Sequence, residues 1–150
     1  MRKKNKKALL IIGRRELVSF PSLQLLNLEA KIDTGAYTSA LHCKDIYLKN
    51  INGKNYLCFK LLDETHPEYI EKEFQFSEFD KKIIKSSFGE FEERYLIKTN
   101  IILAGRKIAL LISLTDRTNM KYPVLIGRRL LNKKFIVDVN KKHTGGIAMN

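Results

Sequence analysis

The chain has 150 residues, a length that favours one domain with a sizeable buried core. Hydrophobic residues make up 44% of it and no low-complexity tract is present, which excludes an intrinsically disordered chain. The sequence holds 28 Lys and Arg residues against 16 Asp and Glu residues, a formal charge of +12. Such a charge favours polyanionic partners, such as nucleic acid, the ribosome, anionic lipid or acidic peptides, without choosing among them.

The N-terminal segment starts with a basic stretch, RKKNKK at residues 2–7, followed by the short apolar run ALLII at 8–12. A secretory signal peptide needs an apolar region of roughly 7–15 residues, and a membrane-spanning helix needs about 20. Without an export signal, the two cysteines, Cys43 and Cys58, are expected to be reduced thiols. The sequence therefore predicts a cytoplasmic protein with no membrane contact and a basic N-terminal tail over residues 1–7.

Short apolar or alternating runs predict strands along most of the chain, and helical periodicity is scarce. The first half contains predicted strands over 8–12, 16–20, 25–32 and 73–76, together with a hairpin over 45–62. That hairpin turns at Asn52-Gly53, a pair that supplies the positive φ angles of a type I′ turn.

The second half of the chain continues the β pattern. It contains a predicted hairpin over 94–114 that turns at Ala104-Gly105-Arg106, a strand over 123–127, a helix of about two turns over 128–134 and a last strand over 135–139. We therefore predict an all-β domain over 8–142 with one short C-terminal helix, followed by a loose tail over 143–150.

The stretch AKIDTGAYTSA, residues 30–40, places an acidic residue directly after an apolar strand. Asp33, Thr34 and Gly35 follow that strand, and small or hydroxyl residues come next. One interpretation is an ordinary turn, because Asp and Gly are both common turn residues. The other is a catalytic aspartate held in a tight, partly desolvated loop. A second motif, the sequence VLIGR at 124–128, lies far downstream and enters the predicted helix.

Three segments together resemble the retropepsin-type aspartic peptidases: IIGRRELVSFPSL at 11–23, AKIDTGAYTSALH at 30–42 and LTDRTNMKYPVLIGRRLL at 114–131. They are similar in particular to a bacterial retropepsin-like family that carries the label ATP-dependent zinc protease. In residues 43–93 only the β pattern carries over. The resemblance implies an acid-protease-like barrel and hydrolysis of peptide bonds.

In such peptidases two carboxylates share one proton and hold a water molecule between them. This sequence has a single Asp-Thr-Gly, so the resemblance implies a homodimer in which each chain contributes Asp33. Thr34 and Gly35 complete the catalytic loop: Gly35 allows close approach of the backbone, and Thr34 bonds to the other loop. No cofactor is implied.

The resemblance also implies substrate-binding roles for Ala36, Arg94, Arg117 and Arg128. Viral retropepsins carry an acidic residue just after Asp-Thr-Gly-Ala that pairs with the arginine of the second motif. This chain has Tyr37 at that place, so Arg128 loses its usual partner and is expected to brace the active loop.

Proteins related to this family are associated with ATP-grasp glutamate ligases, which add glutamate tails to proteins. A basic cleft would suit such tails, because the arginine guanidinium binds carboxylates in a fork. Arg106 and Arg129 are, with Arg94 and Arg117, the candidates for that cleft. Each of them taken alone is also compatible with a solvated surface charge.

Neither zinc nor ATP has a recognisable site in the sequence. A zinc site needs three or four ligands at workable spacing, and the three histidines, His42, His66 and His143, stand apart. A phosphate-binding Gly-x-x-x-x-Gly-Lys-Ser/Thr loop is also absent. We therefore predict a reaction without metal, and the ATP label indicates the partnership with a ligase.

Two other acidic residues are weaker candidates for catalysis. Asp116 precedes Arg117, which favours a local ion pair. Asp138 lies in a predicted strand and is expected to face solvent or a lysine. Asp33 is therefore the catalytic candidate.

A different class of function stays open. The stretch RKKNKK and the charge of +12 are also compatible with a non-catalytic basic β-domain that binds RNA or ribosomes. No aromatic–basic signature of a known RNA-binding module accompanies them. We therefore predict a homodimeric aspartic peptidase with acidic or glutamylated peptides as substrates, a functional link to an ATP-grasp ligase, and nucleic acid as the less favoured partner.

Overall fold

The computed structural model describes residues 8–85 and 89–146, and the predicted basic tail at 1–7 lies outside them. The strands are β1 (Leu10–Gly13), β2 (Arg15–Phe20), β3 (Leu25–Ile32), β4 (Ser39–Ile51), β5 (Lys54–Leu61), β6 (Glu73–Phe76), β7 (Asp80–Lys85), β8 (Phe91–Leu103), β9 (Arg106–Thr115), β10 (Val124–Ile126) and β11 (Phe135–Asp138). A 3₁₀ turn spans Pro21–Leu23, and the helix α1 spans Arg128–Leu131. The prediction of an all-β chain with one short helix near its end is confirmed.

Six strands close into a barrel in the order β10, β3, β2, β8, β9 and β4, because β10 pairs with β4 as well as with β3. It runs parallel to β3, with Val124 opposite Ala30, and antiparallel to β4, with Val124 opposite Leu41. Closure removes the free edges of these six strands. The interior is filled by fully buried apolar side chains, among them Val18, Phe20, Leu28, Leu41, Ile97, Ile101, Leu103, Ile112 and Val124.

Both predicted hairpins are present, and their turns use positive φ angles. Asn52 and Gly53 have φ of 52° and 83°, and Ala104 and Gly105 have φ of 51° and 75°. The first hairpin starts earlier than predicted, because β4 begins in the barrel and continues beyond it to pair with β5, which in turn pairs with β6. No helix in the described part of the chain is long and apolar enough to cross a membrane.

Two elements differ from the sequence-based expectation. The strand β7 was not predicted, because it is a polar edge strand that pairs with β8 and leaves Ile83 65% exposed. The helix ends after one turn instead of two. Asn132 leaves the helical region with a ψ of 129°, and Lys133 follows with a φ of 64°.

The described part of the predicted loose tail, residues 143–146, is held against the barrel by a buried carboxylate. Glu16 is fully buried, and its Oε2 accepts hydrogen bonds from the N–H groups of Gly13 at 2.7 Å and Thr144 at 3.0 Å. Its Oε1 accepts from the N–H of Gly145 at 2.8 Å. These three bonds tie the end of the described chain to the start of β2.

Glu16→Gln should lower the free energy of unfolding by about 1–3 kcal/mol, because the amide turns a donor toward backbone N–H groups that need acceptors. Urea denaturation followed by circular dichroism measures the change. Glu78→Gln, at an exposed glutamate, is the matched control. Equal stability of Glu16→Gln and wild type would contradict the tethering role.

Candidate active site

Asp33 stands at the point where two parallel strands end side by side. Its N–H donates a hydrogen bond to the carbonyl of Ile126 at 2.8 Å, which continues the pairing of β3 with β10 by one residue. The loops that follow these two strands therefore lie next to each other. Asp33 is half-buried, whereas Thr34 and Gly35 are exposed in the single chain.

The loop is shaped by hydrogen bonds to Asp33 itself. The N–H of Gly35 donates to Oδ1 of Asp33 at 3.0 Å, and the N–H of Ala36 donates to the Asp33 carbonyl at 3.2 Å. A Cβ atom at position 35 would lie 3.2 Å from the same Oδ1, so glycine eases the approach of the backbone to the carboxylate. Oδ2 of Asp33 has no hydrogen-bond partner among the described residues.

Backbone N–H groups at the start of α1 bind the loop that follows Asp33. The N–H of Arg128 donates to the carbonyl of Ala36 at 2.8 Å, and the N–H of Arg129 donates to that of Tyr37 at 3.1 Å. A Cβ atom at Gly127 would lie 2.6 Å from the Tyr37 carbonyl oxygen, closer than real Cβ atoms approach. Glycine at 127 is therefore required for the two loops to meet.

The side chain of Arg128 braces the same loop, as the sequence predicted. Its Nη1 donates to the carbonyl of Gly35 at 3.2 Å, and its guanidinium carbon lies 5.4 Å from the ring centre of Tyr37. The aromatic ring thus takes the place of the acidic partner found in viral retropepsins. Substrate binding by Arg128, and by Ala36, stays a prediction.

Arg117 lies in the loop between β9 and β10. Arg94, on β8, and Asp33 both act on its charge. Burial lowers the pKa of Arg117, repulsion from Arg94 lowers it further, and attraction to the Asp33 carboxylate acts in the opposite direction. The Nε of Arg117 donates to the carbonyl of Tyr122 at 3.1 Å. No described residue accepts a hydrogen bond from its terminal amino groups. Arg94 and Asp33 are therefore within electrostatic reach of Arg117, and substrate binding by Arg94 and Arg117 stays a prediction.

Arg106, a further candidate for a basic cleft, is engaged within the fold. Its Nη1 donates to the carbonyl of Lys134 at 3.0 Å, and its Nη2 donates to the carbonyl of Ala8. Its guanidinium carbon lies 5.7 Å from the ring centre of Phe135. Arg106 thus connects the turn between β8 and β9 to residues beside β1 and β11.

The two competing acids make local hydrogen bonds. Asp116 accepts from the N–H of Thr118 at 2.9 Å, and among the described residues it forms no ion pair with Arg117, contrary to expectation. The short side chain of Asp116 closes a tight turn on its own loop instead. Asp138 accepts from the N–H of Asn140 at 2.9 Å.

Sequence reasoning missed a buried pair of polar residues. His42, on β4, and Asp63, just after β5, are 4% and 8% exposed, and Nε2 of His42 lies 2.6 Å from Oδ2 of Asp63. Nδ1 of His42 accepts the N–H of Arg117 at 2.8 Å, so the pair connects directly to the loop that carries this arginine. The available signal was a histidine inside the otherwise apolar run ALHC.

The three histidines take part in separate hydrogen bonds. His42 belongs to the buried pair, Nδ1 of His66 accepts the N–H of Glu68 at 3.0 Å, and Nε2 of His143 lies 2.7 Å from Glu29. Within residues 8–85 and 89–146, no group of three potential ligands is close enough to hold a metal ion. Independence from zinc stays a prediction.

A cleft of about 610 Å³ opens beside the Asp33 loop. Its lining includes Thr34, Tyr37, Arg128, and Phe135 and Val137 of β11. A second cavity, of about 300 Å³, lies between β9 and α1 and contains none of the predicted catalytic residues. The first cleft is therefore the one that adjoins the candidate site.

Hydrogen bonds from the hydroxyl and N–H of Thr65, and then from His42, lower the pKa of Asp63 to about 2. Because the unfolded value is about 3.9, the carboxylate stabilises the fold above pH 4, and this contribution is lost between about pH 4 and pH 2. Asp63→Asn should therefore lower the free energy of unfolding by about 2 kcal/mol at pH 7. It should also make this free energy less dependent on pH between about pH 4 and pH 2. Urea denaturation across this range measures it, with the exposed Glu64→Gln as control. Parallel pH profiles for Asp63→Asn and wild type would contradict the assignment.

Comparison with known proteins gives a family and a similar structure. The family model described as "RimB-like: Retropepsin-like aspartic endopeptidase RimB" matches residues 11–146. Among solved structures, Lpg0085 of Legionella pneumophila, a protein of unknown function, is similar with a TM-score of 0.66 and 26% sequence identity. The similarity covers 92% of this chain and 99% of that one.

Curated relatives are much longer than this chain. The probable alpha-L-glutamate ligase of Shewanella halifaxensis is 34% identical over 128 residues, which cover 85% of this chain and 28% of that protein. The protein of the same name from Desulfotalea psychrophila is 33% identical over 132 residues, with the same two coverages. The chain thus spans 28% of the length of these relatives. Because the family model matches almost all of the described residues, the chain belongs to the RimB-like family of retropepsin-like aspartic endopeptidases.

Proposed function

We propose that the chain is an aspartic-type peptidase whose active site forms between two copies, each contributing Asp33. One observation carries the proposal: Asp33 is fixed at the ends of β3 and β10, with one carboxylate oxygen bound to the N–H of Gly35 and the loop open to solvent. The sequence holds one Asp-Thr-Gly, so a second carboxylate comes from a second copy across a two-fold axis. Thr34, exposed in the single chain, is the residue that would bond to the partner loop.

The chemistry follows from placing two carboxylates at close range. Both cannot ionise together, so the pair shares one proton. The ionised carboxylate takes a proton from a bound water, which attacks the carbonyl carbon of the peptide bond, while the protonated one stabilises the carbonyl oxygen. The C–N bond then breaks as the nitrogen receives a proton from the pair, which releases a carboxylic acid and an amine.

We infer acidic or glutamylated peptides as the substrate class. The terminal amino groups of Arg117 have no acceptor among the described residues. Asp33 and Arg94 are the charged groups that act on this arginine. A substrate carboxylate would therefore pair with the guanidinium of Arg117, whereas Nη2 of Arg94 already lies 3.6 Å from Oε2 of Glu92. The formal charge of +12 also raises the local concentration of acidic tails.

The names of the relatives support a functional link to an ATP-grasp glutamate ligase. In these proteins the segment similar to this chain fills 28% of the length, which leaves room for a ligase in the same polypeptide. A ligase that adds glutamate and a peptidase with a basic site would act in opposite directions on one tail. Cys43 and Cys58 are both buried, and a reducing, cytoplasmic environment stays a prediction.

Asp33→Asn should fold and dimerise almost as wild type does while losing nearly all turnover, because the amide keeps the shape but not the shared proton. After subunit exchange with an equal amount of wild type, about one dimer in four keeps both aspartates, so activity per wild-type chain should fall by roughly half. A peptidase assay combined with mass spectrometry of exchanged dimers measures both quantities.

Asp138→Asn is the matched control, because among the described residues the Asp138 carboxylate accepts one local hydrogen bond, from the N–H of Asn140. This variant should leave turnover unchanged after exchange. Activity per wild-type chain that stays constant, although exchange is complete, would show that each chain works alone. Asp33 would then need a different partner, and Asp116 would be the first to test.

Substrate charge gives an independent prediction. The KM for a peptide with a glutamate tail should rise with salt, because exposed charges are screened beyond about 8–10 Å at ordinary ionic strength. The KM for the same peptide with a glutamine tail should stay nearly constant. A salt-independent enzyme that prefers the neutral peptide would contradict the acidic substrate class. Tight binding of RNA without any peptide cleavage would favour the alternative, a non-catalytic nucleic-acid-binding domain.

A further inference from the structure

His42 and Asp63 form a buried pair that the catalytic proposal does not use. Their side chains are joined at 2.6 Å, and the main chain of His42 is fixed as well. Its N–H donates to the carbonyl of Pro123 at 2.8 Å, and its carbonyl accepts from the N–H of Leu62 at 3.0 Å. The imidazole ring is therefore held in one orientation.

The hydrogen bonds assign the proton on this ring. The N–H of Arg117 donates to Nδ1 of His42 at 2.8 Å, so Nδ1 carries the lone pair. In the neutral ring Nε2 then carries the proton and donates a hydrogen bond to Oδ2 of Asp63. The other oxygen of Asp63 accepts the N–H of Thr65 at 2.8 Å. A chain of fixed hydrogen bonds thus ends on the backbone of Arg117.

Arg117 is held at both ends by these contacts. Its backbone is fixed by His42, and its Nε is bonded to the carbonyl of Tyr122 at 3.1 Å, so the direction of the guanidinium is set. Its terminal amino groups have no acceptor in the described part of the chain. Asp33 and Arg94 are the charged groups that act on it.

We propose that His42 and Asp63 are positioning residues that hold Arg117 in place to bind the carboxylate of an acidic substrate residue. The inference rests on the proposed peptidase function and specifies how the site selects its substrate. Bidentate binding of a carboxylate depends on the direction of the guanidinium as well as on its charge. Loss of the acceptor at Nδ1 does not change the charge of Arg117. It frees the backbone of Arg117, so the guanidinium is no longer held in one direction.

A purely structural pair would behave differently. Removing one partner of a buried polar pair lowers stability whatever the substrate is, so acidic and neutral peptides would be affected equally. A positioning pair affects acidic peptides selectively, and it raises KM more than it lowers kcat.

Two amide substitutions at His42 separate the two ring nitrogens. In His42→Gln the amide nitrogen reaches the place of Nε2 and keeps the bond to Asp63, but the N–H of Arg117 loses its acceptor. In His42→Asn the amide oxygen reaches the place of Nδ1 and keeps that acceptor. His42→Gln should raise the KM for a glutamate-tailed peptide about tenfold with a smaller change in kcat, and His42→Asn should raise it less.

Arg117→Gln is the reference for these measurements. His42→Gln added to Arg117→Gln should cause no further loss with the glutamate-tailed peptide, because the pair acts through the guanidinium. The effect on a glutamine-tailed peptide should be several-fold smaller, and Glu64→Gln should behave as wild type. Equal losses on both peptides, or additive losses in the double variant, would overturn the inference.

Failure of the peptidase proposal is distinguishable from failure of this inference. If wild type cleaves neither peptide, the peptidase proposal fails, and fluorescence anisotropy of the glutamate-tailed peptide decides the positioning role. His42→Gln should then bind about tenfold more weakly than wild type, and its Arg117 amide should exchange hydrogen faster than in His42→Asn. In the neutral ring of wild-type His42, nitrogen NMR should place the proton on Nε2. Absence of binding by wild type, or equal affinity in His42→Gln, would overturn the inference.

Discussion

The three-residue strand β10 pairs along both of its edges, parallel with β3 and antiparallel with β4. This double pairing closes the barrel and fixes the register of the two motifs of the chain. A shift of one residue would turn the buried side chains of β10 outward, so the register is strongly specified. Because the register is fixed, Asp33 and Gly127, which directly follow β3 and β10, lie side by side. The close approach of Gly127 to the Tyr37 carbonyl, which requires glycine at 127, then becomes possible.

Arg106, Arg128 and Arg117 use their charges in two different ways. The guanidinium groups of Arg106 and Arg128 bind backbone carbonyls and pack against aromatic rings. Arg106 thereby connects the β8–β9 turn to residues beside β1 and β11, and Arg128 stabilises the Asp33 loop. Arg117 keeps its terminal amino groups without an acceptor among the described residues, and Arg94 and Asp33 act on it electrostatically. A net charge cannot distinguish these two uses, because both contribute equally to it. Only the contacts show which charges remain available to a ligand.

Buried carboxylates connect segments that are distant in sequence. Glu16 gathers three backbone N–H groups from the two ends of the described chain, and Asp63 links β5 to β4 through His42. Burying a carboxylate is costly unless several donors compensate it, and here backbone and imidazole N–H groups do so. The same bonds that offset the cost also fix positions, which is why the His42–Asp63 pair can hold the backbone of Arg117.

The sequence by itself determined what depends on neighbouring residues. The alternation of apolar residues predicted most strands, and Asn52-Gly53 predicted the turn of the first hairpin. The aspartate after β3 indicated the candidate site. These signals can be read from the sequence because strand periodicity and turn chemistry are local. The tertiary structure alone decided β7, whose polar sequence carries no burial pattern, and the early end of α1. It also decided which distant polar residues meet. His42 finds Asp63 and Arg117 through barrel closure, and pairing across such separations leaves no periodic signal in the chain.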